Sequence, residues 1–154
     1  MNRFLALFLI CVFILSCNKE GEVSFTKKIE NSWQKDSEQV FNFEINDFKN
    51  PKNIIFVIEN NNDYPFSNLW VICSLNKKGE KVAKPDTLNY ILAKPNGEWI
   101  GTGLGSGKTA MFQYKLNHQF PENGTYTIAV KQAMRKDKLL GISKFGIKIE
   151  QAQP

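Results

Sequence analysis

Apolar residues return at every second position through most of this chain, and that period of two constrains its fold more than any other feature. Val40 to Ile45 alternates, with Phe41, Phe43 and Ile45 on one face and Asn42 and Glu44 on the other. Leu69 to Leu75 places Leu69, Val71, Cys73 and Leu75 together. Thr109 to Leu116 does the same for Ala110, Phe112, Tyr114 and Leu116. Thr125 to Gln132 carries Tyr126, Ile128 and Val130 inward, and Ile142 to Glu150 carries Phe145, Ile147 and Ile149. Asn53 to Glu59 is a more continuous apolar run, as a strand covered on both faces requires. Thr87 to Ala93 adds another strand, and Phe25 to Glu30 reads as an edge strand. Between them stand Asn60-Asn61-Asn62-Asp63, Lys77-Lys78-Gly79, Pro95-Asn96-Gly97 and Pro121-Glu122-Asn123-Gly124, all turn formers. The fold expected is all-β: a two-sheet antiparallel sandwich of jelly-roll or immunoglobulin-like type, about seven or eight strands over residues 25–150.

Composition bounds what such a sandwich contains. A chain of 154 residues makes one domain of this kind. Its 42% hydrophobic and 23% charged residues suit a packed core and exclude a disordered chain. A domain of this size buries roughly two-thirds of its surface without a staple. Three cysteines and one histidine supply neither a metal centre nor a disulfide framework, so no metal and no cofactor is expected. Cys73 reads as a small apolar core residue. Gln151 to Pro154 reads as a frayed tail.

The N-terminus follows a different pattern. Arg3 precedes twelve consecutive apolar residues, Phe4 to Leu15. As a helix they span about 18 Å, short of the ~30 Å hydrocarbon core, so they suit a secretory signal over residues 1–16 rather than a membrane span. The run ends Ile14-Leu15-Ser16-Cys17, which resembles a bacterial lipobox: a branched apolar residue, a small residue for peptidase access, then the cysteine whose thiol takes the diacylglycerol. The plainer alternative is an ordinary signal peptide beside a chance cysteine. On the lipobox reading Cys17 is lipidated, residues 17–24 form a tether to the membrane, and cooperating acyl chains make anchoring stable. Asn18 is not the aspartate that retains some lipoproteins at the inner membrane. The expected location is therefore the outer membrane, with the periplasmic face and the cell surface both open.

Motifs that suggest chemistry fail on inspection. Gly101-Thr102-Gly103-Leu104-Gly105-Ser106-Gly107-Lys108-Thr109 invites a phosphate-loop reading. However, Thr102 stands where the cradle needs glycine, and the residues after Lys108 alternate like a strand instead of opening a helix. No nucleotide partner is expected. His118 lies in a polar stretch before Pro121, as a solvated loop histidine would, and no nucleophile elbow surrounds any serine. Asp63, Asp86 and Glu98 have no spacing that marks a glycosidase pair. No enzyme is expected. The basic excess of +5 is spread along the chain, and Lys131, Arg135, Lys136 and Lys138 flank a hairpin, so no nucleic-acid surface is expected.

The aromatic residues carry more. Trp99 lies in the loop-rich stretch Gly97-Glu98-Trp99-Ile100-Gly101, where it either packs a corner of the sandwich or meets a partner. Tyr64, Trp99, Met134 and Arg135 belong to types enriched at interface cores and fall between strands, where a sandwich displays binding loops; they are the candidate partner-binding residues. Their structural alternative is that Tyr64 and Trp99 close the sandwich and Arg135 pairs with an acid.

Several segments together resemble one family, the gliding-motility lipoproteins called GldH. They are the lipobox at Cys17, Trp33, Tyr64-Pro65-Phe66-Ser67-Asn68-Leu69, Asp86-Thr87-Leu88, Gly97-Glu98-Trp99-Ile100-Gly101-Thr102-Gly103, Gly124-Thr125-Tyr126, Gln132-Ala133-Met134-Arg135 and Leu139-Leu140-Gly141-Ile142. The likeness runs in order along nearly the whole chain. It implies a non-catalytic envelope lipoprotein of Bacteroidota, membrane-bound by its lipid, working with other proteins of a gliding machinery linked with type IX secretion. Asp86-Thr87-Leu88 also resembles the Asp-Thr-apolar acceptor for O-glycosylation of exported Bacteroidota proteins, which makes Thr87 a candidate site; the other reading is a β-branched residue that starts a strand. The rival from another class is a carbohydrate-binding sandwich, which would show aromatic side chains along one exposed strand face.

Overall fold

The computed structural model describes residues 22–30, 32–81 and 83–153. The signal peptide and Cys17 lie outside the described residues, as does most of the expected tether. Among the described residues there is no helix. The strands are β1 (Val23–Lys28), β2 (Trp33–Gln34), β3 (Gln39–Ile45), β4 (Lys52–Asn60), β5 (Asn68–Lys77), β6 (Asp86–Ile91), β7 (Lys108–His118), β8 (Gly124–Gln132), β9 (Lys138–Leu139) and β10 (Ile142–Gln151).

Two four-stranded antiparallel sheets face each other, one ordered β1-β10-β4-β7 and the other β3-β8-β5-β6, with β2-β9 as a small separate ribbon. The all-β sandwich expected from alternation is therefore the observed fold, and β1 occupies an edge as expected. The inward positions are those the period of two selects: Phe41, Phe43 and Ile45; Leu69, Val71 and Cys73; Tyr126, Ile128 and Val130; Phe145, Ile147 and Ile149, all buried. Phe56 lies at the centre, stacked on Tyr114 with centroids 4.8 Å apart and tilted against Phe145 at 5.1 Å. Each such side chain contributes about 1.5–3 kcal/mol on burial. The central strand β4 is half-covered even on its outer face, at Ile55 and Val57, which explains its near-continuous apolar run.

Four details differ from the sequence expectation. Leu116 is 48% exposed, because register shifts between β4 and β7 insert extra residues into β7 and break the alternation after Tyr114. His118 is half-buried with its ring edge-on to Phe120 at 4.7 Å, so it is no solvated loop residue; burial pulls its pKa below the usual histidine value. Gln151 continues β10, and Ala152 is buried and donates its N–H to the Pro51 carbonyl at 3.0 Å, so the paired backbone extends past residue 150. The two-residue strands β2 and β9 have no periodicity to reveal them.

Connectivity sorts the loops to two ends. Loops 46–51, 78–85 and 119–123 share one end with the start of β1 and the finish of β10. Loops 29–38, 61–67, 92–107 and 133–141 share the opposite end, called distal below.

Candidate functional site

The distal end gathers segments that are far apart in sequence. The loop after β4 folds on an Asx turn, with the Asp63 N–H donating to Asn61 Oδ1 at 2.9 Å. The Tyr64 N–H then returns to the Asn61 carbonyl, and the phenol donates to the Asn68 carbonyl at 2.6 Å, tying the loop across its mouth. Tyr64 is 3% exposed, and burial pushes its phenol pKa well above the usual tyrosine range. Gly141 comes from the segment before β10, with φ +80, and its carbonyl accepts from the Asn61 N–H at 2.8 Å.

Trp99 reaches the same place from the loop after β6. Gly97, at φ +85, closes a turn whose flanks are held by Lys94 N–H to the Glu98 carbonyl and by the Lys94–Glu98 ion pair at 2.9 Å. The Trp99 indole donates to Asn62 Oδ1 at 3.2 Å, and its ring lies 6.4 Å from that of Tyr64. Tyr64 in turn meets Phe66 edge-on at 5.8 Å. The glycine segment beyond Trp99 is a hairpin closed by the Thr102–Thr109 pair, with the Lys108 ammonium on the Gly103 carbonyl at 2.8 Å. Lys108 opens strand β7, as the alternation after it requires.

The third contribution is the turn after β8. Gln132 is 2% exposed and braces this turn with both ends of its amide: Oε1 accepts from the Met134 N–H and Nε2 donates to the Lys136 carbonyl, each at 2.8 Å. Met134 is buried, and its sulfur accepts the Trp70 N–H at 3.3 Å. Arg135 stands exposed at the tip and makes no ion pair among the described residues. Phe66, Asn68, Trp70, Ala133, Met134 and Arg135 line an open, mostly apolar hollow of about 460 Å³.

Of the three loops proposed from sequence, the Tyr64-Phe66 loop meets each of the other two, Trp99 through Tyr64 and the Met134-Arg135 turn through Phe66, and their residues take unequal positions. Tyr64 and Met134 are buried braces, Trp99 is half-buried, and Arg135 is exposed. Trp33, also at this end, is a core residue: its ring meets Phe145 edge-on at 5.4 Å and its indole donates to the Ser37 carbonyl. Trp70 and Gln132 are not among the candidate partner-binding residues read from the sequence, whereas Phe66 lies in one of the candidate loops. Trp70 did carry a signal, since it falls out of phase with Leu69 and Val71 and so points outward, 41% exposed. Thr87 is exposed on the outer face of the edge strand β6, while its neighbour Asp86 turns inward to accept from the Tyr114 hydroxyl at 2.8 Å and Lys115 at 3.1 Å. Burial alone would raise the Asp86 pKa, but those two donors outweigh it and hold the carboxyl below its usual range.

Comparison with known proteins gives a consistent result. The family model described as GldH lipoprotein matches residues 23–149. A protein of Christiangramia forsetii named gliding motility lipoprotein GldH homolog is 38% identical over 158 residues, covering 97% of this chain and 94% of its own length. The gliding motility lipoprotein GldH of Flavobacterium johnsoniae is 32% identical over 152 residues, covering 94% of each chain. Among solved structures, dimeric latent PorU of Porphyromonas gingivalis aligns at TM-score 0.37 and 8% identity, over 86% of this chain and 13% of that one. A structure of infectious bursal disease virus aligns at TM-score 0.36 and 9% identity, over 86% and 32%. Likeness at that level carries no argument about function.

Proposed function

Because this chain belongs to the GldH family of gliding-motility lipoproteins, we propose that it is a non-catalytic component of the gliding machinery linked with type IX secretion, and that it meets a protein partner through its distal end. Lipidation at Cys17 holds it to the membrane, and Asn18 after the lipidated residue favours the outer one. The single observation that carries the partner reading is the apolar hollow that Phe66 and Trp70 share with Met134 and Arg135, with Trp99 packed on Tyr64 beside it. Trp99 and Arg135 make the contact; Tyr64 and Met134 hold the loops that present them. An unpaired arginine beside exposed tryptophan and phenylalanine edges is the composition of an interface centre.

The carbohydrate-binding alternative requires a row of rings along an exposed strand face. Among the described residues the outer face of β5 and β6 presents one ring, Trp70, with aliphatic Ile72 and Ile91 as its apolar neighbours there. That composition favours a protein contact over a sugar platform.

The test is co-purification from detergent-solubilised envelopes with tagged wild type, Arg135→Ala and Trp99→Ala. Arg135→Ala should stay within about 0.5 kcal/mol of wild-type stability, as an exposed substitution does, while losing its companions and impairing gliding. If both variants keep their companions at wild-type yield, the distal end is structural and the reading fails.

A further inference from the structure

Resting on the lipid-anchor reading above, we propose that the end opposite the aromatic hollow is itself a membrane-facing surface, whose lysine-rich β5–β6 loop sits among anionic lipid headgroups. Three observations lead there. First, the chain from Cys17 reaches the fold at Val23, the start of β1, and even fully extended those few residues span only about 20 Å. Val23 pairs with Ile149, next to Ile54 and Lys52, so the tether enters at the end that carries loops 46–51, 78–85 and 119–123.

Second, the lysines and acids of this end nearly balance, but the β5–β6 loop itself carries Lys78, Lys81 and Lys84 against Glu80 alone. Glu122 is taken by Lys77, Asp47 by Lys52, Asp86 by Lys115, and Glu22 and Glu150 by Lys148. Lys49, Lys78, Lys81 and Lys84 are exposed and make no ion pair among the described residues; against them stand Glu44, which accepts from Thr125, and Glu80. Third, a hollow of about 330 Å³ opens between that loop and the end of β7, with Lys77, Lys81, Lys84 and Lys115 in its wall beside the carboxylates of Glu80 and Asp86. Lys77 and Lys115 are held by Glu122 and Asp86, which leaves the ammonium groups of Lys81 and Lys84 at this wall to meet a lipid phosphate.

Charge alone does not choose this end, since Arg135, Lys136 and Lys138 are exposed at the distal one. The tether chooses it. The consequence for function is orientation: with the lysine loop on the bilayer, the Trp99 and Arg135 end points away from the membrane toward a partner.

The mature acylated chain, reconstituted into vesicles, tests this. Single spin labels are placed at Glu80→Cys in the lysine loop and at Ser106→Cys in the distal hairpin; Cys73 is buried and stays unlabelled. A nickel-chelating lipid then reports each label's distance from the headgroups. In vesicles of equal parts phosphatidylethanolamine and phosphatidylglycerol, the label at position 80 should relax several-fold faster with nickel and the label at 106 should not respond. Replacing phosphatidylglycerol with phosphatidylcholine, or substituting Lys78, Lys81 and Lys84 together by Gln, should remove most of the effect at 80. An equal or larger nickel effect at 106, or an effect at 80 indifferent to lipid charge and to the lysines, overturns the proposal. A chain that fails to float with either vesicle overturns the anchor instead, and the membrane-facing surface with it.

Discussion

Gly141 lies flush against the backbone of Tyr64: a β-carbon on it would overlap the Tyr64 nitrogen, and its φ of +80 already disfavours any side chain. Two of the segments by which the chain resembles its family are therefore one structural unit, the Leu-Leu-Gly turn serving as the bed on which the Tyr-Pro loop rests.

Gly141→Ala should accordingly cost at least about 2 kcal/mol, from left-handed strain and steric overlap together. Thermal melting of the variant measures it. The loss should come with altered fluorescence from Trp99, because Asn62 and Tyr64 move with the loop. Wild-type melting would remove the close approach from the account.

Gln132→Leu keeps the volume of a buried side chain while leaving the Met134 N–H and the Lys136 carbonyl without their partners. The expected loss is about 2 kcal/mol, chiefly from the buried Met134 donor. Partner capture should fall along with stability here, unlike in Arg135→Ala. Urea denaturation beside the envelope pull-down separates the two effects.

Glu59 governs part of the acid stability. Its carboxylate accepts from Lys144 at 2.8 Å, from the Ser143 hydroxyl at 2.7 Å and from Thr109 at 3.3 Å, and these donors, Lys144 foremost, hold its pKa below the ordinary 4.5. A carboxyl depressed by folding stabilises the native state above its unfolded pKa, and that contribution disappears as pH falls through the lower folded value. Urea midpoints should therefore drop on acidification below about pH 4.5, and Glu59→Gln should be less stable at neutral pH with a flatter acid limb. Parallel acid limbs for the two proteins would show that other carboxylates carry the effect.

Cys17→Ala should abolish metabolic palmitate labelling and release the chain into the soluble fraction, since acyl chains supply the anchoring energy. Equal labelling of wild type and variant would remove Cys17 as the lipidated residue.

Thr87 stands exposed on an edge strand with Asp86 beside it, accessible to a glycosyltransferase from solvent. Native protein should be heavier than its peptide mass by a glycan that Thr87→Ala eliminates. An unmodified wild-type mass would leave Thr87 as a strand residue and nothing more.

The sandwich was legible in the sequence because a strand's two faces are a local property: residues two apart share a side, so Phe41, Phe43 and Ile45 declare a buried face without any knowledge of the partner strand. The strand character of the residues after Lys108 followed from the same rule. Leu116 obeyed the pattern and still ended outside, because a bulge is a disagreement between two strands and is written in neither alone. The pairing of Trp33 with Leu139 joins segments too short to have a period. At the distal end the residue types were visible, but burial there depends on which loops meet. Tyr64 is covered because Gly141, Phe66 and Trp99 arrive beside it, and Arg135 is exposed at the tip of a turn that Gln132 braces from within. The period of two decided the strands and their inner faces; only the closing of the two sheets decided which aromatic residues became braces and which became surface.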